Sequence, residues 1–356
     1  MGKTTIYDVA RAAHVSTATV SRVLNGDEKV GADYRTRVEE AARRLGYHPQ
    51  FSARYTRKGR SGLLALLLPR VDLDVFRQMA EGAMREAAAL DRGLILMTSE
   101  GSTRIEQERL AQLSAMPVDG LIYRPVVLTA SREAVQERLG IPVVALDVGN
   151  DGERLSMGWQ SAYMAARYLL RIGRRRIALM VPFREKDVRT VEELDRLAGE
   201  GSREVGVQRY LGYRAALDEA NVPFDPSLLL YYGYTQQGGH DAAAALLGRG
   251  READAMICAN DEAALGALLF LREQGIAVPQ QISLIGFDNS SICHAMSPGL
   301  TSVEGYAPEM GRQAVRRLDA LVEGRTPKPE PDLTPELIIR ASTCAPEAQE
   351  KAAAAR

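Results

Sequence analysis

Apolar residues along this chain return at two different intervals, and the interval changes near residue 62. In the first 48 residues the spacing is helical. Ile6, Val9, Ala10 and Ala13 stand at i, i+3, i+4 and i+7 and predict a helix over 6–13, with Thr4 or Thr5 as its N-cap. Ser16 is placed to cap a second helix that turns Val20, Val23 and Leu24 inward and stops at Asn25-Gly26. A third spans 32–45, with Val38, Ala41, Ala42 and Leu45 on one face and Gly46 behind it. Only Ala13-His14-Val15 separates the first two helices. That is the spacing of a helix-turn-helix, whose second helix can enter a major groove.

Beyond residue 62, short apolar runs alternate with amphipathic stretches. Strands are expected at 63–69, 94–97, 120–123, 142–146, 176–181, 228–231, 255–258 and 283–286. Helices are expected at 76–90, 105–115, 161–172, 208–220, 238–247 and 261–273. This βα alternation implies parallel sheets covered by helices. The strands exceed what one sheet holds comfortably, so two lobes are expected, with ligands at the carboxyl ends of strands. Residues 184–206 are charged and long for a connection. They read as a solvated excursion that could overhang the cleft.

A length of 356 residues leaves room for two or three domains. The net charge of −1 conceals an asymmetry. Residues 1–60 hold 12 Lys/Arg against 6 Asp/Glu, net +6, while the remainder holds 33 against 40, net −7. A basic head on an acidic body suits a head that meets phosphate. No run reaches the roughly eighteen apolar residues of a membrane span, and no apolar signal core follows the first residues, so a cytoplasmic protein is expected. Cys258, Cys293 and Cys344 are odd in number and lack metal spacing, as ordinary thiols would be. No nucleophile elbow, phosphate loop, zinc motif or dinucleotide fingerprint is present, so neither an enzyme nor a cofactor is expected.

The second helix carries the candidate chemistry. Arg22 can pair bidentately with guanine, at roughly 1–3 kcal/mol of discrimination. Thr17 and Ala18, in the first turn, can touch a thymine methyl. Thr19, Ser21 and Asn25 suit phosphate oxygens. Taken alone, the same positions fit the solvated face of a small bundle.

The run from residue 5 to 25, TIYDVARAAHVSTATVSRVLN, closely resembles the start of the LacI (lactose/galactose repressor) family, as does the later LGYHP ending at Pro49. His14 replaces the turn glycine usual there, and Gly31 replaces the serine that usually starts the third helix. The resemblance adds Thr5, Tyr7, Ser16 and Tyr47 to the DNA-facing set. It implies that the basic stretch 49–61 becomes a short helix when two copies meet over the minor groove. Ala53, Arg54, Tyr55 and Thr56 would lie there, with Thr56 where a wedging Leu is usual. Further matches are RYLGYRAAL (209–217), CANDEAALG (258–266), ISLIGFD (282–288), PGLTSV (298–303) and EMGRQAV (309–315).

That resemblance implies an all-α helix-turn-helix head (1–48), a hinge (49–61), a two-lobed α/β core like the periplasmic sugar-binding proteins (62–343), and a flexible tail (344–356). The chain should cross between lobes three times, with the effector in the cleft. Arg209, Asn260 and Asp288 would face the effector, although Asn260 and Asp288 are also turn formers. Tyr234 can stack on a sugar face. In the first lobe Asp72, Phe76, Arg124 and Asp147 follow strand ends, and Phe76 fits the core equally well. The expected function is a homodimeric, operator-binding repressor switched by a small molecule, a saccharide by this residue set. Arg124 points to the alternative, a purine or sugar-phosphate co-repressor.

Overall fold

The computed structural model describes residues 4–24, 29–47, 60–126, 132–146, 156–182, 190–248, 250 and 253–346. Asn25, Ala53, Arg54, Tyr55, Thr56 and Asp147 lie outside the described residues. The chain divides into two compact units, residues 1–63 with 117–119, and 64–116 with 120–356.

The first unit holds α1 (Ile6–Ala13), α2 (Thr17–Leu24) and α3 (Ala32–Arg44). Thr5 opens α1 through its backbone N–H and hydroxyl, which donate to Asp8 Oδ2 at 2.9 and 2.6 Å. His14 ends it in the left-handed region at φ 51°, and the Val15 N–H returns to the Ala10 carbonyl at 3.0 Å. Ser16 caps α2 by accepting the Thr19 N–H at 3.1 Å. Arg37 reaches from α3 to the turn and donates to the Ala13 carbonyl at 2.6 Å. Val9, Ala13, Val20, Val23, Val38 and Ala41 close a small core between the helices.

The second unit contains two sheets. The first lobe runs β1 (Leu63–Leu68), α4 (Asp74–Ala89), β2 (Gly93–Thr98), α5 (Thr103–Ser114), β3 (Gly120–Tyr123), α6 (Arg132–Leu139) and β4 (Val143–Ala145), in sheet order β2-β1-β3-β4. β1 pairs parallel with β3, and β3 with β4. Leu64 to Leu68 are buried on both faces, as an inner parallel strand requires.

The second lobe runs α7 (Met157–Arg171), β5 (Ile177–Met180), α8 (Val191–Gly199), α9 (Val205–Glu219), a 3-10 turn (Pro226–Leu228), β6 (Leu229–Leu230), α10 (Gln236–Gly248), β7 (Ala255–Ile257), α11 (Asp261–Glu273), β8 (Ser283–Phe287), α12 (Ile292–Ala295) and β9 (Thr301–Glu304). Then α13 (Ala307–Val322) returns to the first lobe, where Ala314, Val315 and Leu318 share a core with Leu64 and Leu66 of β1 and with Met79 and Ala83 of α4. β10 (Glu336–Ile338) goes back to pair antiparallel with β9. The second sheet is therefore ordered β10-β9-β8-β7-β5-β6, and the chain crosses between lobes three times.

Two expectations need correction. Residues 184–206 are not merely a solvated excursion, because they contain α8. Its start is fixed by Thr190 and Glu193, each accepting the other's backbone N–H. Leu194 is fully buried in the second-lobe core, and Tyr210 donates its hydroxyl to Asp195 at 2.7 Å. The packed chain also runs one residue past the expected end of the body at 343, to Cys344. Arg174, 1% exposed, donates to the carbonyls of Cys344, Gln281 and Pro279 at 3.0, 3.1 and 2.6 Å. All three cysteines are free thiols.

Candidate functional site

On the head, α2 turns its apolar side into the bundle and leaves Ala18 and Arg22, one turn apart, exposed. Ser16, Thr5 and Tyr7 are also exposed, Tyr7 at 68%. Thr17, Thr19 and Tyr47 are half-buried, and the Thr19 hydroxyl lies 2.9 Å from that of Ser16. Ser21 is only 8% exposed, so it does not stand off the apolar face as its sequence position suggests.

In the body, a cavity with an empty volume of about 850 Å³ is walled by both lobes. Phe76, Arg124, Arg209, Tyr234, Asn260 and Asp288 all line it. Phe76 is at once core and cavity wall. Asp72 is not among the lining residues. It is exposed and paired with Arg70 Nε at 2.8 Å, which holds its carboxyl below the usual range. The loop around it sends Leu73 and Val75 to the cavity instead.

Three second-lobe residues form the polar wall. Arg209, on α9, donates through Nη1 to the Ala259 carbonyl at 2.5 Å, and its guanidinium lies 3.7 Å from the centre of the Phe287 ring. Its Nε is buried with no hydrogen-bond partner, a donor left for a ligand. Burial works against its charge, while Tyr234, Asp288 and Asp261 support it.

Asn260 caps α11, accepting the Ala263 N–H on Oδ1 at 2.9 Å. Its amide N–H₂ is not used by that cap. Asp288 follows β8 at φ 92°. Burial pushes its carboxyl up to about 7, with Asp261 adding to the shift and Arg209 opposing it. Both readings of these residues thus hold together: each shapes a turn and each lines the cavity.

Residues that periodicity could not mark complete the walls. Met157, Gly158 and Ser161 come from α7, and Ala307 and Met310 from α13. Gln78 on α4 donates to Asp74 Oδ2 at 2.6 Å and to the Asp288 carbonyl at 3.2 Å, bridging the two lobes. Among the described residues, no cluster of His, Cys, Asp or Glu could hold a metal ion, and no helix is long and apolar enough to cross a membrane.

Comparison with known proteins agrees with both halves. Residues 5–50 match the family described as bacterial regulatory proteins, lacI family, and residues 166–343 match the periplasmic binding protein-like domain. The HTH-type transcriptional regulator DegA of Bacillus subtilis (strain 168) is 30% identical over 355 residues, covering 96% of this chain and 98% of DegA. The chain belongs to the LacI family.

Among solved structures, the Lac repressor dimer bound to operator and the anti-inducer ONPF superposes with a TM-score of 0.80 at 25% identity, covering 97% of this chain and all of that one. The complex of the transcriptional regulator CelR with cellobiose gives a TM-score of 0.65 at 26% identity, covering 96% of this chain and all of that one. As a LacI-family regulator, this chain has a helix-turn-helix DNA-binding domain followed by a two-lobed effector-binding domain.

Proposed function

We propose that this LacI-family chain is a homodimeric repressor, acting in the cytoplasm, whose grip on a specific operator is set by a saccharide-class effector in the interlobe cavity. One observation carries the reading. The same chain holds an exposed Arg22 on a helix-turn-helix and a cavity where Arg209, Asn260 and Asp288 present donors and acceptors together. The CelR complex with cellobiose supports the ligand class, and the Lac repressor complex supports the operator. Arg22 reads guanine in the major groove, Ala18 packs against a base edge, and the exposed Ser16 and Thr5 contact phosphate. Effector in the cavity changes the balance of open and closed lobes, and it does so only by its differential affinity for the two. Minor-groove contact by Ala53, Arg54, Tyr55 and Thr56 belongs to the same reading.

The test starts with an operator selected from random duplexes by the full-length protein. Arg22→Ala is expected to lose about tenfold or more in affinity for that operator and to keep its affinity for random DNA. Thermal stabilisation by effector should be unchanged in the variant. Full operator selectivity in Arg22→Ala would remove α2 from the reading role.

A further inference from the structure

The two walls of the cavity differ in chemistry. The second lobe brings Arg209, Asn260, Asp288 and Ser161, a set that can satisfy several hydroxyls. The first lobe brings an apolar shelf of Leu73, Val75, Phe76, Met79 and Met310. Among the described residues, Arg124 is the one polar side chain on that side. It follows β3 directly, and its backbone N–H is fixed to the Leu67 carbonyl at 3.0 Å. The residue is 3% exposed, and Nη1 lies 3.4 Å from the Pro125 carbonyl it donates to.

A neutral polyol pressed on this shelf would set hydroxyls against methyl and thioether groups, where an unpaired hydroxyl is unfavourable. A guanidinium offers donors only, in a planar fork that fits a carboxylate through two parallel bonds. A phosphate dianion needs more than this wall offers, because Leu73, Val75 and Met79 supply neither a second cation nor a further donor from their side chains.

We propose that the effector is a carboxylated saccharide, a sugar acid, with its carboxylate on Arg124 and its hydroxylated edge on Arg209, Asn260 and Asp288. The proposal rests on the cavity being the effector site. It makes Arg124 the residue that selects acids over their neutral parents.

The full-length protein is screened by thermal shift and titration calorimetry against hexuronates and aldonates, each beside its neutral parent sugar and its primary amide. Hexose 6-phosphates and purines complete the panel. At least one acid should raise the melting temperature and bind about tenfold or more tightly than its amide, as expected for a charge-assisted pair. Arg124→Gln should lower the acid's affinity by about the same factor, so that the preference for acid over amide is lost.

Because Arg124 is buried and its variant can fail to fold, the acid-to-amide comparison on the unmodified protein decides the matter alone. Equal binding of acid and amide overturns the proposal and leaves the sensor reading standing. Stabilisation by neutral sugars, phosphates or purines only does the same. Silence of every acid overturns it too, while the Arg22 experiment still decides the DNA reading.

Discussion

At position 288 a carboxyl group lines the cavity from a turn with φ 92°, and its surroundings decide its charge. Burial and the nearby Asp261 push it up to about 7, against an unfolded value of 3.8, and Arg209 does not fully compensate. The unfolded chain therefore gives up this proton first. Stability attributable to the group is present below about pH 4 and is lost as pH rises towards 7. An Asp288→Asn variant has no such group. Its melting temperature should gain on that of the parent as pH rises from about 4 to 7 and run parallel above. The rise from 3.8 to about 7 sets an upper bound of about 4 kcal/mol on that gain. A constant difference across that window would show that the group titrates normally. The residue type and its place after a strand were legible in the amino-acid order. Its charge state was not, because Asp261, Arg209 and Asp74 meet it only through folding.

Among the elements, those with strong periodicity or clear caps stand where the pattern places them. β3 and α11 have the expected bounds, and α1 is closed by the expected Thr5 and His14. The capping pair Thr190 and Glu193 and the spacing of Val191, Leu194 and Ala198 were available for α8, but the surrounding charge masked them. α13 was visible only as a motif, and its role lies in its partner. It lies so close to α4 that a Cβ on Gly311 would be 2.0 Å from the Met79 carbonyl oxygen, and one on Gly82 would be 1.9 Å from that of Pro308. These contacts are backbone to backbone and cannot be relieved by a rotamer change. Gly311→Ala should therefore cost about 2–3 kcal/mol in urea unfolding. It should also weaken effector binding, because α4 carries Phe76 and α13 carries Met310 into the cavity. Unchanged unfolding would mean that the two helices separate freely.

For the molecule as a whole, charge is divided by function. The head is net +6 and the rest net −7. A dimer whose heads neutralise six to ten phosphates should lose operator affinity with a log–log salt slope of about −5 to −9. Effector titrations over the same salt range should give a slope no steeper than about −1, because the ligand replaces few counterions in an enclosed cavity. A shallow operator slope would contradict the head's assignment. By itself the sequence determined the three helices of the head, the βα alternation of the body, the division of charge and the family signature. All of these depend on residues close together in the chain, where periodicity and caps act. Only the tertiary structure decided that α13 completes the first lobe and that an apolar shelf holding Arg124 faces a polar wall. Those outcomes depend on segments a hundred or more residues apart sharing one core, and local pattern carries no information about which distant surface a side chain meets.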